Sequence, residues 1–317
     1  MKRFILATAI MFAVGSAHAQ RPSIPPQAIT GPALGHTPVG IDAAFSLPDG
    51  IEFASVAAVE IGDDGHIFVL HRSDPPLLEF DADGNFIRGF GDGLFQRSHG
   101  LRLDDEGNFW VTDFALHIVM KLDRDANVLM TLGTRGESGA WDEEAGTRLF
   151  NQPNDVAIAS DGSIFVAQGH VPGTDPRILK FDSDGNFIMS WGGRGALPWQ
   201  FEVAHTIVID DQDRVYVGDR EGRRILVFDV DGNFIKGWVY QGMACALYLT
   251  DDGHIYMATG FDAQIVKLDM DGRVLGVTGQ PGEGVNEYGE AHYLAVSADD
   301  EIYVADVLNR RVQELVP

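Results

Sequence analysis

The chain has 317 residues, of which 45% are hydrophobic, with a formal net charge of −24 and a single cysteine, Cys245. The apolar content is ample for a sizeable core, and one cysteine excludes an intrachain disulfide. A surface this acidic repels nucleic acid phosphates and anionic lipid, so neither is an expected partner.

The N-terminus reads as a leader. Lys2 and Arg3 form a basic start, and Phe4 to Val14 is an apolar run too short to span a bilayer. Ala17-His18-Ala19 is a small-x-small cleavage site. Residues 1–19 are therefore expected to be a signal peptide, with delivery to the periplasm or the exterior and no membrane association after cleavage. Residues 20–44 are rich in Pro and Gly and read as an extended lead-in.

From residue 45 to 317 one pattern recurs. Short β-rich runs alternate with acidic turns, as in Asp63-Asp64-Gly65 before Ile67-Phe68-Val69 and Asp105-Glu106-Gly107 before Phe109-Trp110-Val111. Six such inner turns can be aligned, the last at Asp299-Asp300-Glu301. Outer turns of the form Asp-x-Asp-Gly-Asn follow, as in Asp81 to Asn85, Asp182 to Asn186 and Asp229 to Asn233. Apolar runs bounded by Asp-Gly turns signal antiparallel hairpins. Six four-stranded units that cannot bury both faces alone predict an all-β, six-bladed β-propeller. The sixth unit ends before an outer turn, so its last strand must come from the N-terminal segment; Ala43 to Leu47 is the expected donor. The outer turns resemble the start of an EF-hand loop, but they lack its distal Glu and read as tight hairpin turns.

Aligning the units on their inner turns places Ala57, His99, Asn154, His205, Cys245 and His292 at the start of the six innermost strands. Histidine fills alternate blades, so three imidazoles should converge on the axis from three directions. Three nitrogens with a fourth position open suit a catalytic metal such as zinc, although imidazole alone does not select zinc over nickel, copper or iron. Cys245 could be a nucleophile, an extra ligand or a small buried hydrophobe. A second register holds Arg72, Phe114, Gly169, Arg220, Gly260 and Val307. Its two arginines stand on opposed blades and could clamp a substrate carboxylate, or pair with acids such as Asp74 or Glu221.

The runs His71-Arg72-Ser73-Asp74, His99-Gly100-Leu101, Gln152-Pro153-Asn154-Asp155-Val156 and Asp219-Arg220-Glu221-Gly222-Arg223 resemble the peptidyl-α-hydroxyglycine α-amidating lyase family. The repeats are of the NHL type. The resemblance implies zinc held by His99, His205 and His292, with Arg72 and Arg220 in the active site. It implies cleavage of a C-terminal α-hydroxyglycine, a peptide or small molecule bearing a carboxylate, to an amide and glyoxylate. The family's catalytic tyrosine falls at His170, which could be a general base, a fourth metal ligand or a solvated loop residue. The resemblance also implies a calcium ion bound by backbone oxygens of Val59 and Leu101 and by an Asp after the third histidine; that position is Tyr293 here. Two other function classes fit the same fold. One is a non-catalytic propeller that binds protein, peptide or glycan. The other is a lactonase-like hydrolase, whose metal ligands are typically acidic.

Overall fold

The computed structural model describes residues 26–40, 44–142, 144–171 and 173–317. The expected leader, 1–19, and the start of the expected lead-in lie outside the described residues. Among the described residues no helix is long and apolar enough to cross a membrane.

Six four-stranded antiparallel sheets follow one another along the chain. Their innermost strands are Val56–Ile61, Ser98–Leu103, Pro153–Ile158, Ala204–Ile209, Ala246–Leu249 and Ala291–Val296. Each touches the next and the sixth returns to the first, so the sheets are blades of a closed ring. Stacking the blades buries both faces of each sheet, and strands such as Phe109–Asp113 and Val215–Asp219 are buried along their whole length. Aromatic rings tie neighbouring blades together, for example Phe68 against Phe109 at 4.9 Å between centroids.

The turns behave as their sequences require. Gly65, Gly107, Gly162 and Gly253 close the inner turns in the left-handed region, and Asp213 and Asp300 take the same conformation at φ 56° and 64°. Asp is among the few residues with a side chain that tolerate it. In the outer turns, Asp81 Oδ1 accepts the N–H groups of Asp83 at 3.0 Å and Asn85 at 2.8 Å. The same closure recurs at Asp123, Asp182 and Asp229. These carboxylates are engaged by their own hairpins, which is the tight-turn reading.

Ring closure departs from the expectation. The fourth strand of the sixth blade is Thr37–Pro38, paired with Val316 and Leu315, and not Ala43 to Leu47. The later segment is committed to the first blade. Ser46 N–H donates to Gly84 O at 2.9 Å, and the Phe45 ring sits among Phe53, Phe80 and Tyr303. Gly84 permits this approach, because a Cβ there would lie 1.9 Å from Ala44 O. Pro38 suits the outer edge of a sheet, where its missing N–H breaks no ladder. Upstream, the backbone crosses the fifth blade: Gln27 N–H donates to Asp262 and Ile29 N–H to the Gln264 side chain, both at 2.7 Å.

Candidate metal centre and active site

The residues aligned at the strand starts share a backbone device. The ladder to the second strand slips between Val56 and Ala58, Ser98 and Leu101, Pro153 and Asp155, Ala204 and Thr206, and Ala291 and Tyr293. The skipped residues include Ala57, His99, Asn154, His205 and His292. A β-bulge of this kind leaves its extra residue unpaired and re-aims its side chain. In the fifth blade Cys245 stands just ahead of the strand, its N–H donating to Ala258 O at 3.0 Å.

The three histidines meet. Ring centroids of His99 lie 4.6 Å from those of both His205 and His292, and His205 lies 5.3 Å from His292. Each Nδ1 faces a carbonyl on the next blade around the ring: His99 to Asn154 O at 2.8 Å, His205 to Cys245 O at 2.7 Å and His292 to Ala57 O at 2.7 Å. A carbonyl only accepts, so each Nδ1 carries the proton and each Nε2 presents a lone pair. One potential ligand atom from each ring falls within 4.8 Å of the others. The Nε2 atoms of His99 and His292 are 3.2 Å apart, and Nε2 of His205 is buried without a hydrogen-bond partner. Two facing lone pairs at that distance form no hydrogen bond; they repel unless a cation sits between them. Burial, with Arg72 or Arg220 adding like charge, holds His99 and His205 well below the ordinary histidine range and His292 at about 3. All three are therefore neutral, the form that binds metal. Tetrahedral zinc with Zn–N of about 2.0–2.1 Å needs nitrogens about 3.3 Å apart, and His99 and His292 meet that spacing with their Nε2 atoms 3.2 Å apart.

His170 joins this group from the third blade. Gly169 before it has φ 102°, and a Cβ there would meet Pro176 backbone at 2.6 Å. The His170 ring stacks on Phe114 at 4.6 Å and 22°, and lies 4.6 Å from His99 edge-on. Its Nδ1 is buried without a hydrogen-bond partner. The residue is half-buried, with its ring packed on Phe114 and His99. Burial, then Arg220, pushes its pKa well below the ordinary range.

Arg72 and Arg220 both reach this region. Arg72 Nε donates to Ser98 O at 3.0 Å, and its guanidinium lies 5.7 Å from the Phe114 centroid. Burial and the neighbouring Arg97 lower its pKa to about 10. Arg220 is 7% exposed, donates to His170 O at 3.2 Å and pairs with both carboxylate oxygens of Glu221 at 2.8–3.0 Å. Burial opposes its charge most strongly, but Glu221, Cys245 and Glu290 together raise its pKa. Burial pushes the Cys245 thiol up, away from a neutral-pH thiolate.

Two charged residues at the site were not singled out from the sequence. Arg97 lies 5.1 Å from the Phe114 centroid. Glu290 is 4% exposed, has an oxygen within 4.8 Å of ligand atoms of Cys245 and His292, and is raised to about 7 by burial against the pull of Arg220 and Arg72. Both occupy one further register, two residues ahead of the histidine position, which reads Ser55, Arg97, Gln152, Val203, Met243 and Glu290.

The set expected to hold calcium lacks its anion: the residue after His292 is the buried, uncharged Tyr293, and Arg102, which follows Leu101, is bound to Asp155 at 2.7 Å. Burial raises the Tyr293 hydroxyl pKa well above its ordinary value, so the residue supplies no anionic oxygen. Calcium does not fit this set. A cavity of about 720 Å³ opens between the inner turns of the first, fifth and sixth blades, lined by acids including Asp63, Asp251 and Asp299, with no histidine.

No family model matches the chain. It is 28% identical over 305 residues to a probable peptidyl-alpha-hydroxyglycine alpha-amidating lyase of Caenorhabditis elegans, covering 83% of each chain. It is 36% identical over 161 residues to the peptidylglycine alpha-amidating monooxygenase of Rattus norvegicus, spanning 48% of this chain and only 16% of that longer protein. Among solved structures, a gluconolactonase of Xanthomonas campestris superposes with a TM-score of 0.61 over 91% of this chain and 99% of its own, at 16% identity. That likeness speaks for the propeller alone. Along most of its length, then, the chain is a propeller similar in sequence to the peptidyl-α-hydroxyglycine α-amidating lyases.

Proposed function

We propose that the protein is a zinc-dependent carbon–nitrogen lyase that cleaves a C-terminal α-hydroxyglycine to an amide and glyoxylate. The observation that carries the metal reading is the trio of Nε2 lone pairs, fixed by three inter-blade carbonyls and facing one another at the axis. His99, His205 and His292 would hold the ion, which supplies Lewis-acid polarisation of the substrate oxygen. The reaction itself follows from the relatives' names.

The remaining roles belong to this chain's side chains. The substrate carboxylate is bound by Arg72, with Arg97 and Arg220 adding positive field. His170, neutral and with a free ring nitrogen, takes the proton of the substrate hydroxyl. As the C–O bond gains double-bond character, the C–N bond breaks and its electron pair stays on nitrogen. The proton held by His170 passes to that nitrogen, so the amide and glyoxylate leave with all atoms accounted for. Phe114 fixes the plane of His170 by stacking. The leader-like start supports action in the periplasm or outside the cell.

The test is direct. Purified protein loaded with zinc is incubated with a peptide ending in α-hydroxyglycine, and amide and glyoxylate are quantified by mass spectrometry. Equimolar appearance of both, abolished in His99→Ala, is expected. Loaded protein that releases neither above the uncatalysed background rules out this reaction.

A further inference from the structure

One to three residues beyond the histidine position, a second layer crosses the axis, and every blade contributes to it. Arg102 comes from the second blade, Asp155 from the third, Thr206 from the fourth, Leu247 from the fifth, Tyr293 from the sixth and Glu60 from the first. Arg102 Nη2 and Nε bind the two oxygens of Asp155 at 2.7 and 3.1 Å, and Nη2 also donates to Leu247 O at 3.2 Å. Arg102 Nη1 is 3.8 Å from Glu60 Oε2, and the guanidinium lies 5.3 Å from the Tyr293 ring centroid. Asp155 is fully buried and accepts three more hydrogen bonds, from the Thr206 hydroxyl at 2.9 Å, Ile207 N–H at 3.1 Å and Val156 N–H at 2.9 Å.

We propose that Arg102 is a built-in axial cation that occupies the role of a structural divalent ion, so that the propeller takes no calcium on its axis. The surrounding groups are the oxygen donors a hard cation would use, two carboxylates and a backbone carbonyl. They are already turned onto a planar fork that matches a carboxylate in two bonds. A second, divalent charge beside a buried guanidinium meets repulsion that little solvent screens. The cation is also placed where it steadies the upper layer. Asp155 follows Asn154, Thr206 follows His205 and Tyr293 follows His292. The Asn154 carbonyl that holds His99 is also approached by the Tyr293 hydroxyl at 3.4 Å. Arg102 is therefore a positioning residue, and it touches none of the reacting atoms.

Calcium titration into the purified protein tests this, with binding read by calorimetry and stability by thermal unfolding. No binding and an unmoved Tm in millimolar calcium are expected; stoichiometric binding with a rise in Tm overturns the proposal. Arg102→Ala strands two buried carboxylates and is expected to lower Tm by roughly 10 °C. An alanine variant as stable as the parent also overturns it. If that variant is not recovered folded, Tyr293→Asp carries the test, because it returns a carboxylate while keeping the guanidinium. It is expected to bind no calcium, and calcium binding by it overturns the proposal. None of these readouts uses turnover, so each is independent of the lyase reading.

Discussion

His205→Asn isolates the metal ligand from the hydrogen bond that orients it. The His205 ring does two things: Nδ1 donates to Cys245 O at 2.7 Å, and Nε2 stands buried without a partner. An asparagine amide nitrogen occupies nearly the place of Nδ1, so it keeps the donor and removes Nε2. Structural zinc sites with four ligands bind with about 10–16 kcal/mol, so one ligand is worth about 3 kcal/mol. Zinc affinity should therefore fall roughly 100-fold. His205→Ala should lose the same affinity and also leave the Cys245 carbonyl unsatisfied, at a further cost of about 1–3 kcal/mol in the metal-free protein. Competition against a chromophoric chelator gives the affinities, elemental analysis after dialysis gives the stoichiometry, and denaturant unfolding of the apo forms gives the stability difference. If His205→Asn binds zinc as tightly as the parent, or if the parent binds no metal at all, the lone-pair reading of the axis is wrong.

Further outcomes follow from the same geometry. His170→Ala should reduce turnover by roughly two to four orders of magnitude while leaving zinc content unchanged, measured by steady-state kinetics beside elemental analysis. Because burial and Arg220 hold the His170 pKa well below 6.5, the base stays neutral and activity should persist as pH falls through 6.5, declining only at lower pH. Arg72→Lys should raise KM for a carboxylate-bearing substrate more than it lowers kcat, since lysine cannot bind in two parallel bonds; unchanged kinetics would remove Arg72 from the site. Stability should peak near neutral pH, because the three axial histidines and His170 stay neutral in the folded protein while their unfolded forms take up protons below 6.5. Glu60 is raised to about 7 by burial, so its contribution is full below about 4.5 and is lost as pH rises through 7. Asp81, Asp123 and Asp182 are lowered by their asparagine partners, so theirs is present above 3.8 and lost below it. Tm measured across pH should show both limbs, and Glu60→Gln should flatten the alkaline one.

The blades were legible because their turns are chemically marked, and because a propeller repeats one unit that sequence alone can align. The histidines were legible for the same reason: an alignment of six turns turns distance in sequence into position around an axis. What stayed hidden depends on backbone atoms and on competition between segments. Nothing in the residue types announces that Asn154, Cys245 and Ala57 would each offer a carbonyl to the preceding histidine. Ala43 to Leu47 has the right composition for a closing strand, but Phe45 finds a better-packed site among Phe53, Phe80 and Tyr303, leaving Thr37–Pro38 to close the ring. Arg97 and Glu290 were readable in principle, since they share one register; the Arg220–Glu221 pair was open to either reading until its geometry was known.

The bulge at the head of the innermost strands is indifferent to what it carries. It forms around alanine and asparagine as readily as around histidine, so in five of the blades the backbone supplies a similar socket and the chemistry is a choice of side chain in each. New functions on such a ring can arise by point substitution at the sockets, with no insertion, no refolded loop and little disturbance of neighbouring blades. A lineage could lose its imidazoles and keep the scaffold, or refill the complementary trio at Ala57, Asn154 and Cys245 and rotate its reactive centre by one blade.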